Sequence, residues 1–147
     1  MLVCRSRSAK ESYLMTLEKS CLLSDPTYIT HLFETRDQYR ANAEEAIGAG
    51  EFRKASELLW GAITQELKAL AASYGKVISS HRQFFELLRQ LATELGDRPL
   101  YTEFVELNAL HKNFYDETIP PDVFPDYYAR AIAYIERLEL LLRNARD

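Results

Sequence analysis

The sequence predicts an all-α fold, an antiparallel up-and-down bundle of four or five helices. Three observations carry that prediction. Apolar residues recur at intervals of three and four through most of the chain, the period of an amphipathic helix. The five glycines and five prolines fall mostly between those periodic stretches, where helices start and stop. No stretch of note alternates apolar and polar residues as a half-buried strand does. With 47% of its 147 residues hydrophobic, the chain can bury a real core as one domain.

Residues 1–24 read as an N-terminal arm or a short helix over 8–22, on the thin stripe Tyr13, Leu14, Leu17 and Cys21. Residues 25–147 read as a single helical-bundle domain. Ser24-Asp25-Pro26 is a helix start, a capping side chain followed by proline where its missing N–H costs nothing. That helix runs to about Ile47, with Ile29, Leu32, Phe33, Tyr39, Ala43, Ala46 and Ile47 facing inward. Gly48-Ala49-Gly50 breaks it, and so short a turn makes the flanking helices antiparallel neighbours.

The chain is organised around the next helix, residues 51–75. Its stripe is Phe52, Ala55, Leu58, Leu59, Ala62, Ile63, Leu67 and Leu70, widened by Trp60, Ala71 and Tyr74, so it should have neighbours on more than one side. Gly75 ends it as a left-handed C-terminal residue. Gly61 lies inside it, where glycine costs about 1 kcal/mol relative to alanine. Such a position predicts close approach by a neighbour.

Ser80 with Gln83 three residues on forms a capping box and starts a third helix over 81–95, with Phe84, Phe85, Leu88, Leu91, Ala92 and Leu95 apolar. Gly96-Asp97 closes it. A fourth helix spans Pro99 to Asp116. On its apolar face, Leu107, Phe104, Tyr115 and Phe114 surround His111, with Asn108 at the edge. Residues 119–125, Ile-Pro-Pro-Asp-Val-Phe-Pro, read as an extended linker. Asp122 is then a candidate cap for a last helix over 123–145, with stripe Tyr128, Ala131, Ile132, Ile135, Leu138, Leu142 and Ala145.

A net charge of -4 offers no global positive field to draw nucleic acid or an acidic membrane. No apolar run is long enough for a transmembrane helix, and the N-terminus has no secretory core. Cys4 and Cys21 form neither a disulfide framework nor a zinc motif, which fits the cytoplasm; no metal or cofactor is expected. The turn around Gly50 looks like one tetratricopeptide unit, but the following 34 residues do not repeat it, so a peptide-binding helical module is an alternative only.

Candidate site residues are few. Asn108 and His111, three apart, share a helix face and could form a polar pocket for a nucleotide or phosphate, or serve as a satisfied core pair. His81 and Arg82 sit in a helix first turn, where free N–H groups favour anions. His31 reads as surface. Glu44, Glu45, Glu57 and Glu66 read as solvated faces. Tyr115, Tyr127, Tyr128 and Tyr134 are candidates for a homodimer surface, since aromatics with a polar tip suit interfaces.

Several of these patterns resemble one family. Gly50-Glu51-Phe52, Ala55-Ser56-Glu57, Leu59-Trp60-Gly61-Ala62 and Lys68-Ala69-Leu70-Ala71 look like the central helix of the PaREP helical proteins of archaea and some bacteria. Ser80-His81 with Phe84-Phe85 fits their third helix. Leu110-His111-Lys112-Asn113-Phe114-Tyr115-Asp116 looks like their fourth-helix signature and adds Asn113 to the ligand-binding candidates. The PaREP proteins in turn resemble the HEPN superfamily. That resemblance implies a HEPN-like bundle, usually dimeric, among RNA-directed nucleases, toxin–antitoxin pairs and partners of nucleotidyltransferases.

Active HEPN ribonucleases carry an arginine, then four to six intervening residues, then a catalytic histidine. Here those positions hold Phe104, Val105 and Glu106 before His111; Tyr74, Gly75 and Lys76 before His81; and Ser24, Asp25 and Pro26 before His31. The expectation is therefore a PaREP-like domain acting through homodimerisation and partner binding, with a nucleotidyltransferase or an antitoxin as candidate partner. The alternative is a nucleotide- or RNA-acting enzyme centred on His111.

Overall fold

A computed structural model describes residues 26–146. They form five helices: α1 (Pro26–Gly48), α2 (Phe52–Ser73), α3 (His81–Leu95), α4 (Arg98–Asp116) and α5 (Phe124–Arg146), with no strand among the described residues. All five lie after residue 25, so the bundle does not draw its count from the 8–22 segment, which falls outside the described residues.

The helix ends follow from local chemistry. At the end of α1, the Glu51 amide donates to the Ala46 carbonyl at 2.8 Å and the Gly50 amide to Ile47 at 3.0 Å. This closure needs a left-handed residue, and Gly50 supplies it at φ +75°. Gly75 closes α2 in the same way at φ +74°. At the start of α3, the Gln83 side-chain oxygen accepts the Ser79 and Ser80 amides at 2.7 and 3.1 Å, satisfying donors that would otherwise lack partners. α4 ends on Glu117 at φ 49°, an unfavourable conformation for a residue with a Cβ. Arg53 of α2 holds that end: it donates to the Phe114 carbonyl at 2.7 and 2.9 Å and pairs with Glu117 at 3.0 Å. A cation there also meets the negative end of the helix dipole.

α2 is the hub. It packs most extensively on α1, then on α5 and α4, while α3 barely meets it and leans on α4 instead. Its Ala55, Leu59, Trp60, Ala62, Ile63, Leu67 and Ala69–Ala72 are buried among Leu32 and Ala43 of α1, Phe104 and Leu107 of α4, and Ile135 and Leu138 of α5. The expected close approach at Gly61 is there. A Cβ on it would stand 2.9 Å from Tyr39 Cδ2 and 3.0 Å from Cε2, so one edge of the α1 tyrosine ring occupies the space over the glycine.

Several expectations are corrected. Glu66 is not solvated: it is 0% exposed, because α2 has almost no solvent face. Arg36 of α1 pairs with it at 2.7 Å, and its second oxygen has no partner. Burial pushes its carboxyl above the ordinary range, against the pull of Arg36. Leu95 is half exposed and Ala145 exposed, so neither joins the core. Residues 120–124 are not a purely extended linker: Val123 and Phe124 amides both return to the Pro120 carbonyl, turning the chain into α5. Tyr134 is no interface residue. It is buried, its hydroxyl donates to the Leu100 carbonyl at 2.6 Å, and burial drives its pKa far upward.

Candidate functional site

α3 and α4 are joined by a short turn and so run antiparallel, which sets the start of α3 beside the end of α4. That brings His81 and His111 together, with ring centres 5.4 Å apart and planes inclined by 32°. Both rest on Trp60 of α2, at 5.6 Å for His81 and 5.9 Å for His111. Trp60 is 3% exposed and stacks on Phe104 at 4.9 Å, so the shelf is anchored in the core. Phe85 flanks His81 at 5.4 Å, and Tyr115 meets His111 edge-on at 5.4 Å.

His111 is not a closed-core histidine. Its side chain is 30% exposed, and Nδ1 lies 2.8 Å from Oε2 of Glu57, itself 34% exposed. An ionised carboxylate only accepts, so a hydrogen bond here puts a proton on Nδ1, and in the neutral tautomer the lone pair is then at Nε2. A carboxylate on one ring nitrogen fixes the tautomer that the other nitrogen needs to take a proton. His81 is exposed.

The remaining predicted residues divide. Asn108 lies one turn before His111 with its Oδ1 buried and unpartnered. Arg82 is exposed and pairs with Glu86 at 2.8 Å, a surface pair worth little. His31 is exposed on α1, away from α3 and α4. Asn113 is corrected from ligand candidate to structural clamp. It is buried, donates to Ser56 Oγ at 2.8 Å and accepts the Ile119 amide at 2.7 Å, so its amide group is engaged at both ends. Tyr127 and Tyr128 are half-buried, Tyr128 donating to Glu44 at 3.2 Å, and Tyr115 is 62% exposed.

Sequence reasoning missed Glu57 and gave Trp60 a structural role alone. The available signal was their spacing of three on a helix whose apolar stripe had already spread around it. A cleft of about 600 Å³ lies elsewhere, between the start of α2 and residues 113–121. Its Arg53 is spent on the end of α4. Among the described residues no helix is long and apolar enough to cross a membrane, and no group of three His, Cys, Asp or Glu is placed to hold a metal ion.

The model of the archaeal PaREP1/PaREP8 family matches residues 31–138, well over half of the chain. No curated protein and no solved structure matches.

Proposed function

The chain belongs to the archaeal PaREP1/PaREP8 family, and from that premise we propose that it is a HEPN-like helical protein whose His81–His111 face binds RNA and promotes its cleavage. One observation supports this above others: two solvent-accessible imidazoles 5.4 Å apart, one of them held by a carboxylate. Phosphodiester cleavage at a ribose needs a base to take the 2′-hydroxyl proton and an acid to return one to the leaving 5′-oxygen. His111, oriented by Glu57, takes the first role, and His81 takes the second. Tyr115 offers an exposed ring on which a base stacks, and Asn108 lies one turn before His111 on the same helix. The arginine of active HEPN ribonucleases is absent in register, and the nearest cations in sequence are Arg82 and Lys112, each following a histidine. A reaction of this class belongs in the cytoplasm, in a toxin–antitoxin or defence setting.

The test is cleavage and binding of a tRNA pool by wild type, His111→Ala, His81→Ala and Glu57→Gln, with folding checked by circular dichroism. The proposal expects wild type to cut, each histidine variant to lose about a hundredfold or more, and Glu57→Gln to lose less. Folded wild type that neither binds nor cuts overturns it.

A second reading is action through protein contacts, as a homodimer or with a nucleotidyltransferase or antitoxin partner. Tyr115 at 62% and Leu140 at 56% exposure favour it, being large apolar groups left open to solvent. A monomeric mass in light scattering at micromolar concentration argues against the homodimer.

A further inference from the structure

The turn from α3 into α4 carries a second polar cleft, of about 520 Å³, lined by Arg89, Thr93, Arg98, Tyr101 and Thr102 among others. We infer that this cleft is a phosphate-binding site, with Arg89, Arg98 and Tyr101 as its ligand-holding groups. In a chain of net charge -4, it is a cleft with two guanidinium groups and no carboxylate in its wall. The neighbouring acids are engaged elsewhere: Asp97 with Arg137, Glu86 with Arg82, and Glu94 with Gln90. Arg98 is exposed and its guanidinium has no partner among the described residues.

The donors are already arranged. Arg89 lies over the Tyr101 ring at 5.4 Å and donates to its hydroxyl at 3.2 Å, so the planar fork is held while its remaining N–H groups stay free. The Tyr101 hydroxyl, accepting from Arg89, keeps its own proton to donate. The two threonine hydroxyls donate to helix carbonyls, Thr93 to Arg89 at 2.9 Å and Thr102 to Arg98 at 3.5 Å, and so shape the wall without donating to the ligand. Arginine forks suit the paired oxygens of a phosphate group.

Arg89 stands eight residues after His81 on α3, about 12 Å along the helix at 1.5 Å per residue. The cleft is therefore separate from the histidine pair, and phosphate binding here does not depend on the cleavage reading. The phosphate can belong to a small free anion or to a polynucleotide chain.

The experiment is a nuclear magnetic resonance titration of the full chain, reading backbone amides of residues 89–102. The probes are inorganic pyrophosphate and a short single-stranded RNA, in wild type, Arg98→Glu, Arg98→Lys and Arg89→Gln. The expected result is a saturable shift confined to those amides. Arg98→Glu should weaken it by about tenfold or more, the effect of losing one charge-assisted hydrogen bond. Arg98→Lys should keep most of the binding, and Arg89→Gln should lower it. A response to pyrophosphate assigns the site to a free phosphate group, whereas a response to RNA alone assigns it to a chain phosphate. Neither probe moving these amides in the folded protein overturns the inference, as does Arg98→Glu binding like wild type. Running the RNA arm also in His111→Ala separates the two sites: a shift at 89–102 that survives belongs to this cleft alone.

Discussion

Replacing Gly61 by alanine sets two effects of known size against each other. Helix propensity favours the change by about 1 kcal/mol. The new Cβ, however, would stand 2.9 Å from Cδ2 and 3.0 Å from Cε2 of Tyr39. Comfortable carbon–carbon contact begins near 3.5 Å, so the ring must move by several tenths of an ångström. It lies in the most extensive helix contact of the bundle, that of α1 on α2, and is itself half-buried. Overpacking of this kind costs about 1–3 kcal/mol. Gly61→Ala should therefore destabilise by up to about 2 kcal/mol once the propensity gain is subtracted. In a Tyr39→Ala background the obstacle is gone, and the same change should stabilise by about 1 kcal/mol. The assay is urea unfolding of all four proteins, with the coupling energy taken from the double-mutant cycle. A coupling of about 1–3 kcal/mol is expected. Gly61→Ala stabilising the wild type, with coupling near zero, refutes the claim that this glycine exists to seat Tyr39.

Three further outcomes are expected. Asn113→Ala removes two buried hydrogen bonds and leaves the Ile119 amide unpaired, so it should lose about 2–4 kcal/mol, read as a fall in melting temperature; a fall equivalent to less than about 1 kcal/mol shows that the clamp is not needed. Glu66 has a folded pKa above its unfolded value, so the folded protein binds the extra proton and stability from this group rises as pH falls toward about 4.5. The stability of wild type minus that of Glu66→Gln should thus increase on acidification from neutrality, and parallel curves would refute the assignment. Tyr134→Phe should cost about 1 kcal/mol in urea unfolding, the net worth of its bond to the Leu100 carbonyl, and an unchanged midpoint would show that bond to be idle.

The fold was largely legible because helices announce themselves locally. Gly50 and Gly75 end α1 and α2 through hydrogen bonds within a few residues, and Ser80 with Gln83 starts α3 in the same way. The site was legible only in pieces. His81 and His111 each stood out, but 30 positions separate them, and neither spacing nor composition says that α3 folds back along α4 to bring their rings together. Glu57 and Glu66 misled for a common reason. A carboxylate on a helix reads as solvated unless one knows how many sides of that helix are covered, and α2 is packed on by α1, α4 and α5.

What the sequence alone determined is what neighbours in the chain decide: a bundle of four or five helices, most of their caps and turns, and a central helix too apolar to have only one partner. Tertiary structure decided which polar groups lose their water. Asn113 is consumed in a buried clamp, Glu66 is driven into a pair with Arg36, and Tyr134 is turned inward from a surface role. Glu57 instead stays partly wet and holds His111 beside His81. The physical reason is that burial and pairing depend on which helix faces meet, and that is settled by the packing of the whole core.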